Sequence, residues 1–225
     1  MFLRACLSCL LFFSATICSR AGELAELFPK LPASVFAKWA GGEPKPIADA
    51  ANRLRLVAAG GDAGKIVAAE LRLRDFALDE RNGFLRFGSE TDGEGTVFTM
   101  ALWKCADGSK LVGVAIEHWS NVTNETAHIA FWRVRDGKLA DVTAEMLPDI
   151  TLAKFYDGHA DKVNAAAKEG YRWRWKLPQK GTTIRIEAPS LENLDDYAAL
   201  AKPDHAYEGR WDGKVFKWVK VKGGR

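Results

Sequence analysis

From residue 71 onward, apolar and polar side chains alternate with a period of two. Leu71 and Leu73 alternate with Arg72 and Arg74, and the same alternation returns in runs around residues 99–104, 111–118, 128–135, 171–176 and 182–187. Asp-Gly pairs at 92–93, 107–108, 136–137 and 212–213 punctuate these runs. Both residues of such a pair tolerate positive φ, so the pattern predicts tight turns between antiparallel strands. The fold class expected is mainly β: a meander of hairpins, sandwich- or barrel-like, with an N-terminal helical segment and one late short helix.

The apolar sets also suggest a register. A turn over Ala106-Asp107-Gly108-Ser109 sets Cys105 opposite Lys110, Trp103 opposite Val112 and Ala101 opposite Val114. A second turn centred on Thr123 sets Val114 opposite Trp132, Ile116 opposite Ala130 and His118 opposite His128. One face then collects Trp103, Ala101, Val112, Val114, Ile116, Trp132 and Val134, whereas a slip by one residue mixes these with Glu117, Arg133 and Arg135. The other face still holds Met100, Leu102, Ile129 and Phe131, so both sides of the sheet are expected to be covered. Further on, Trp175 is expected opposite Ile184, Trp173 opposite Ile186 and Arg172 opposite Glu187. A two-residue Asp212-Gly213 turn sets Glu208 opposite Lys217 and Tyr207 opposite Trp218.

Helical spacing appears in two places. Leu24, Leu27 and Phe28 share one helical face, interrupted by Pro29 and Pro32, and Val35, Phe36 and Trp39 resume it. Leu191, Leu194, Ala198 and Ala201 repeat at helical spacing after Pro189-Ser190. Between residues 47 and 67 the Ala-rich composition suggests helix, while Gly60-Gly61-Asp62-Ala63-Gly64 reads as a loop.

Residues 1–21 have the order of a secretory signal peptide. Arg4 is followed by a 14-residue apolar run, Ala5 to Cys18, and Ser19-Arg20-Ala21 places small residues at the −3 and −1 positions of a cleavage site. The run is shorter than the roughly 20 residues of a spanning helix. Cleavage after Ala21 is expected, giving an exported chain in the periplasm or outside the cell, with 22–225 as a single β-rich domain. Ile17 before Cys18 is a poor match to a lipoprotein site.

The net charge of +3 falls to +1 when Arg4 and Arg20 leave, so no global basic field recruits nucleic acid. No membrane span is expected. Cys6, Cys9 and Cys18 leave with the signal, and the remaining thiol, Cys105, beside Trp103, is expected to be a buried, inert one.

Two groups carry candidate chemistry. Opposed His118 and His128, with Glu125 in the adjoining loop, supply two imidazoles and a carboxylate, the donor types of a transition-metal site or an acid–base pair. Glu117 is a poorer third ligand because its side chain leaves the other face of the strand. The same residues also serve as the polar end of a hairpin. Trp173 and Trp175, flanked by Arg172, Arg174 and Lys176, could form a stacking platform for a glycan, or could fill a core. Asn121 and Asn124 head Asn-X-Thr triplets. The sequence contains no Gly-rich phosphate loop, nucleophile elbow, His-Glu-x-x-His or paired-Cys motif, so no cofactor is expected. The reading this supports is an exported, non-catalytic binding or interaction module for a partner protein or glycan. The alternative is a small metal-dependent or acid–base enzyme centred on the histidine pair.

Overall fold

A computed structural model describes residues 21–36, 45–91, 93–120, 127–189, 191, 195–200 and 202–223. The chain is mainly β and antiparallel throughout. Strands β1 (Arg74–Asp79), β2 (Phe84–Thr91), β3 (Glu94–Lys104), β4 (Lys110–Ser120), β5 (Ala127–Arg135) and β6 (Lys138–Asp141) form a six-stranded sheet in sequential order. Strands β7 (Arg174–Lys176), β8 (Thr183–Glu187), β9 (His205–Trp211) and β10 (Phe216–Lys222) form a four-stranded sheet in the order β10-β9-β8-β7. The Asp-Gly pairs at 107–108, 136–137 and 212–213 lie between paired strands, and Asp92 lies outside the described residues. Arg135 faces Lys138 across Asp136-Gly137, both at positive φ (50° and 68°), the geometry of a type I′ turn.

The six-stranded sheet is apolar on both faces, and this decides how far its register could be read. Leu85, Phe87, Phe98, Met100, Val112, Val114, Ile116 and Trp132 pack beneath an N-terminal helical layer. Phe84, Ala101, Trp103, Leu111, Ala115 and Phe131 pack against the four-stranded sheet, with Trp175, Ile184, Ile186 and Phe216. The result is three layers: helices, six strands, four strands. With apolar residues on both sides, alternation no longer identifies a single inward face.

The β3–β4 register differs from the sequence expectation by one residue. Leu102 faces Val112, Met100 faces Val114 and Ala101 faces Gly113. The Cys105 N–H donates to the Ser109 carbonyl (2.9 Å) and the Gly108 N–H to the Cys105 carbonyl (3.1 Å), with Gly108 at φ 80°. A three-residue loop with glycine in the left-handed position thus replaces the expected four-residue turn, and every β3 side chain changes face. Trp103 and Ala101 therefore join Phe131, whereas Met100 and Leu102 join Val112.

The other hairpins slip by two residues, which keeps faces but changes partners. Val114 faces Ala130, Val112 faces Trp132 and Ile116 faces His128. Trp175 faces Ile186, and Arg174 faces Glu187. In the last hairpin Lys220 faces Tyr207 and Val219 faces Glu208. There the Asp212 carboxylate accepts from the N–H groups of Lys214 (2.9 Å) and Val215 (3.0 Å), so the loop holds four residues before Phe216 faces Trp211. The slip sets Trp218 opposite Gly209. A Cβ on Gly209 would lie 2.7 Å from the Trp218 ring, so this strand position is open only to glycine while the indole lies across it.

The helical layer comprises α1 (Ala21–Leu27), α2 (Ala33–Phe36), α3 (Lys45–Ala48), α4 (Ala50–Ala59) and α5 (Gly61–Glu70). Asp49 caps α4 by accepting from the Ala51 N–H (2.8 Å). Of the expected loop at 60–64, only Gly60 breaks the helix, and 61–64 are the start of α5. Gly64 explains why glycine sits inside that helix: a Cβ there would come within 2.9 Å of the Phe76 ring on β1. Arg53 is 3% exposed and ties the layer together. Its guanidinium donates to the carbonyls of Pro29, Leu31, Ile47 and Ala48 at 2.7–3.3 Å and lies 4.5 Å from the centre of the Phe36 ring. Residues 1–20, nearly all of the expected signal peptide, and Trp39 of the expected helical spacing lie outside the described residues.

Between the sheets the chain adds α6 (Thr143–Met146), α7 (Ala160–Lys168) and 3-10 turns at Leu152–Phe155 and Asp195–Leu200. The last of these is the late short helix. Tyr156, 5% exposed, donates its hydroxyl to the Pro189 carbonyl (2.7 Å), and burial pushes its pKa up to about 12.

The neutral phenol is thus favoured in the folded state. Its contribution is intact below the unfolded value near 10 and is lost as pH rises from about 10 to 12, by as much as about 3 kcal/mol. Denaturant titrations between about pH 9 and 12 should show a shallower loss of stability in Tyr156→Phe than in the parent chain. Equal slopes would show that Tyr156 titrates as a free phenol.

Candidate ligand-binding site

Among the described residues, those singled out by sequence lie on two different strand pairs, the histidines on β4 and β5 and the tryptophans on and beside β7. His118 is 7% exposed on β4, with its Nδ1 3.2 Å from the Thr96 hydroxyl on the facing strand. His128 faces Ile116, so the two imidazoles lie on one side of the sheet but are not directly opposed. Glu125, Asn121 and Asn124 lie outside the described residues. Among the described residues no group of three or more His, Cys, Asp or Glu is placed to hold a metal ion. Glu117 faces the four-stranded sheet, where burial pushes its carboxyl up and Arg174 and Arg86 pull it back.

Trp175 is 5% exposed and lies edge-on to Trp218 at 6.0 Å, inside the core between the sheets. Trp173 is half-buried and stacks on Phe155 with ring centres 6.0 Å apart. The aromatic alternation is thus mostly core, which is what a half-buried strand needs. Cys105 is buried, as its neighbours suggest.

A cleft of about 260 Å³ opens instead where four hairpin ends and α1 meet at one end of the two sheets. The β1–β2 connection supplies Glu80, Arg81, Asn82 and Gly83, and the end of β3 supplies Leu102, Trp103 and Lys104. The β7–β8 loop supplies Gly181 and Thr182, the end of β9 supplies Trp211, and Glu23 of α1 and Lys110 of β4 close one side. Local rules build each wall. Asp79 accepts from the Asn82 backbone N–H (3.1 Å) and side chain (2.8 Å), Gly83 takes φ 65°, and a 3-10 turn at Glu80–Asn82 presents its side chains outward. The Asn82 hydrogen bonds hold the Asp79 carboxyl below its ordinary value.

Two indoles lock the frame. Trp103 Nε1 donates to the Thr182 carbonyl (3.0 Å), and Trp211 Nε1 donates to the Lys104 carbonyl (2.7 Å). Gln179 Nε2 adds a bond to Asp79 (3.3 Å). Each of these bonds crosses between elements distant in sequence, so the cleft is pre-formed by cross-links between hairpin ends. Trp211 also packs on Phe216, with centroids 4.9 Å apart, while remaining half-exposed. Glu23 and Lys110 form an ion pair at 3.0 Å.

A second, more open depression of about 510 Å³ lies beyond Lys110, around the β3–β4 loop. There Asp107 pairs with Arg135 (2.6 Å) and accepts from Ser109, first through its hydroxyl (2.5 Å), which holds its carboxyl well below the usual range. Neither depression is lined by His118, His128, Trp173 or Trp175.

Sequence reasoning missed Trp211, Glu80 and Lys104 because nothing in their spacing joins them. The one local signal was Asp79–Gly83, whose Asx-type capping and glycine mark a turn that displays polar side chains. It also missed a hydrogen bond between His205 Nε2 and the Asp157 carboxyl (2.7 Å), whose partners come from segments 48 residues apart.

No family model matches the chain, and no curated protein matches it. Among solved structures it is similar to a domain of an uncharacterized protein from Porphyromonas gingivalis W83, with 16% identity and a TM-score of 0.56, over 88% of this chain and 98% of that chain. At that identity the likeness shows a shared fold alone.

Proposed function

We propose that this chain is an exported binding module whose ligand site is the Trp211 cleft. The observation that carries the reading is a pre-formed recess at the seam of two sheets, with a half-exposed indole and several polar side chains turned toward it. Its volume suits a small solute or the end of a longer chain, such as a glycan or peptide terminus, better than a broad protein surface. Export is supported by the order of residues 1–21. It is also compatible with the fold: the buried residues Leu24, Leu27 and Phe28 all follow Ala21, so cleavage there keeps them in the exported chain. Among the described residues no helix is long and apolar enough to cross a membrane.

Tryptophan fluorescence and thermal shift of the exported protein, with neutral saccharides, amino acids, amines and carboxylic acids as probes, test the reading. At least one class should bind saturably, and Trp211→Ala should abolish that binding. Glu80→Gln, which removes a half-buried charge and no core contact, serves as a second variant that should fold normally and bind less. Absence of binding by every class, or binding indifferent to both substitutions, would overturn the site.

A further inference from the structure

The charges around the cleft are unequal in their partners. Glu23 and Lys110 neutralise each other across one wall at 3.0 Å. Glu80 and Lys104 line the same recess, and neither side chain has an ion-pair partner within 4.0 Å among the described residues, nor do they pair with each other. Arg81, the remaining charged residue of the lining, is engaged in an interaction of its own, so the recess carries one carboxylate, Glu80, and one ammonium, Lys104, without an ion-pair partner among the described residues. The two indole N–H groups nearby are already bound to backbone carbonyls and offer no donor to a ligand, only ring surface.

A neutral ligand leaves both charges to water and gains little from them. A singly charged ligand satisfies one and brings desolvation at the other without compensation. A ligand carrying both charges satisfies each with a charge-assisted hydrogen bond in a partly enclosed, lower-dielectric setting. We propose that the Trp211 cleft takes a small zwitterion of the amino-acid or short-peptide class, its ammonium at Glu80, its carboxylate at Lys104 and its carbon body against Trp211. This rests on the cleft being the ligand site, and it goes further by assigning the ligand's charge.

Isothermal titration of the exported protein tests it with five probes: L-leucine, the dipeptide leucyl-leucine, N-acetyl-leucine (no ammonium), leucinamide (no carboxylate) and glucose. One or both zwitterions should bind, and each singly charged analogue should bind more weakly by roughly tenfold or more, the worth of one charge-assisted bond. In Glu80→Gln the advantage over N-acetyl-leucine should vanish, and in Lys104→Met the advantage over leucinamide should vanish. A merely structural effect of either substitution would weaken all probes alike.

Binding of glucose without either zwitterion overturns this inference and leaves the cleft as a ligand site. Zwitterion binding whose discrimination survives both substitutions also overturns it. Failure of all five probes counts against the zwitterion alone, and the wider panel with Trp211→Ala decides whether the cleft binds anything.

Discussion

Replacing Phe98 with alanine is expected to remove about 3–5 kcal/mol of stability. Phe98 has no exposed surface and sits where the helical layer meets the six-stranded sheet. Its ring stacks on Phe87 at 4.7 Å and on Phe36 at 5.8 Å, and it is tilted against Phe28 at 5.4 Å. Those partners come from β2, α2 and the turn at Phe28–Lys30, so one truncation opens a cavity shared by three elements. Stacked and edge-on aromatic pairs add to the transfer term, and the close-packed surroundings relax only in part. For a chain of this size the melting temperature should fall by roughly 10 °C or more. Calorimetric or denaturant unfolding that shows a loss under about 1 kcal/mol would mean the helical layer does not depend on this cluster.

Trp175→Ala should cost a comparable amount, about 3–5 kcal/mol, on the other side of the sheet. Its ring is 5% exposed, faces Ile186 across the strand pair and meets Trp218 edge-on. It lines neither depression. Below its lowered melting temperature, the variant should therefore keep ligand binding at the Trp211 cleft, whereas Trp211→Ala should lose binding with a smaller loss of stability. Near-normal stability of Trp175→Ala combined with lost retention of a glycan would reverse the two roles and make the β7 aromatics a binding platform.

The candidate site was much less legible than the fold. His118, His128, Trp173 and Trp175 stood out because they are uncommon residues close together in sequence. Proximity in sequence placed the tryptophans on one strand, where period-two alternation buries them, and placed the histidines on one hairpin without making them face each other. Glu80, Lys104 and Trp211 are common or widely separated residues, and they share a recess only because four hairpin ends and α1 meet there.

What the sequence by itself determined is whatever depends on neighbours along the chain. Period-two alternation and Asp-Gly pairs specify antiparallel strands and where they reverse, and the spacing of Leu24, Leu27 and Phe28 specifies a helix face. Tertiary structure decided the register, and with it which side chains meet. A sheet covered on both faces is penalised little by a slip, so the left-handed Gly108 loop set the β3–β4 pairing, and the bulk of Trp218 over Gly209 accompanies the β9–β10 one. The glycine at 64 likewise serves tertiary packing rather than a loop, because the close approach of α5 to Phe76 leaves no room for a side chain there. Turn chemistry acts over a few bonds and is written locally. Packing acts through excluded volume between segments distant in sequence, and shows only when those segments are brought together.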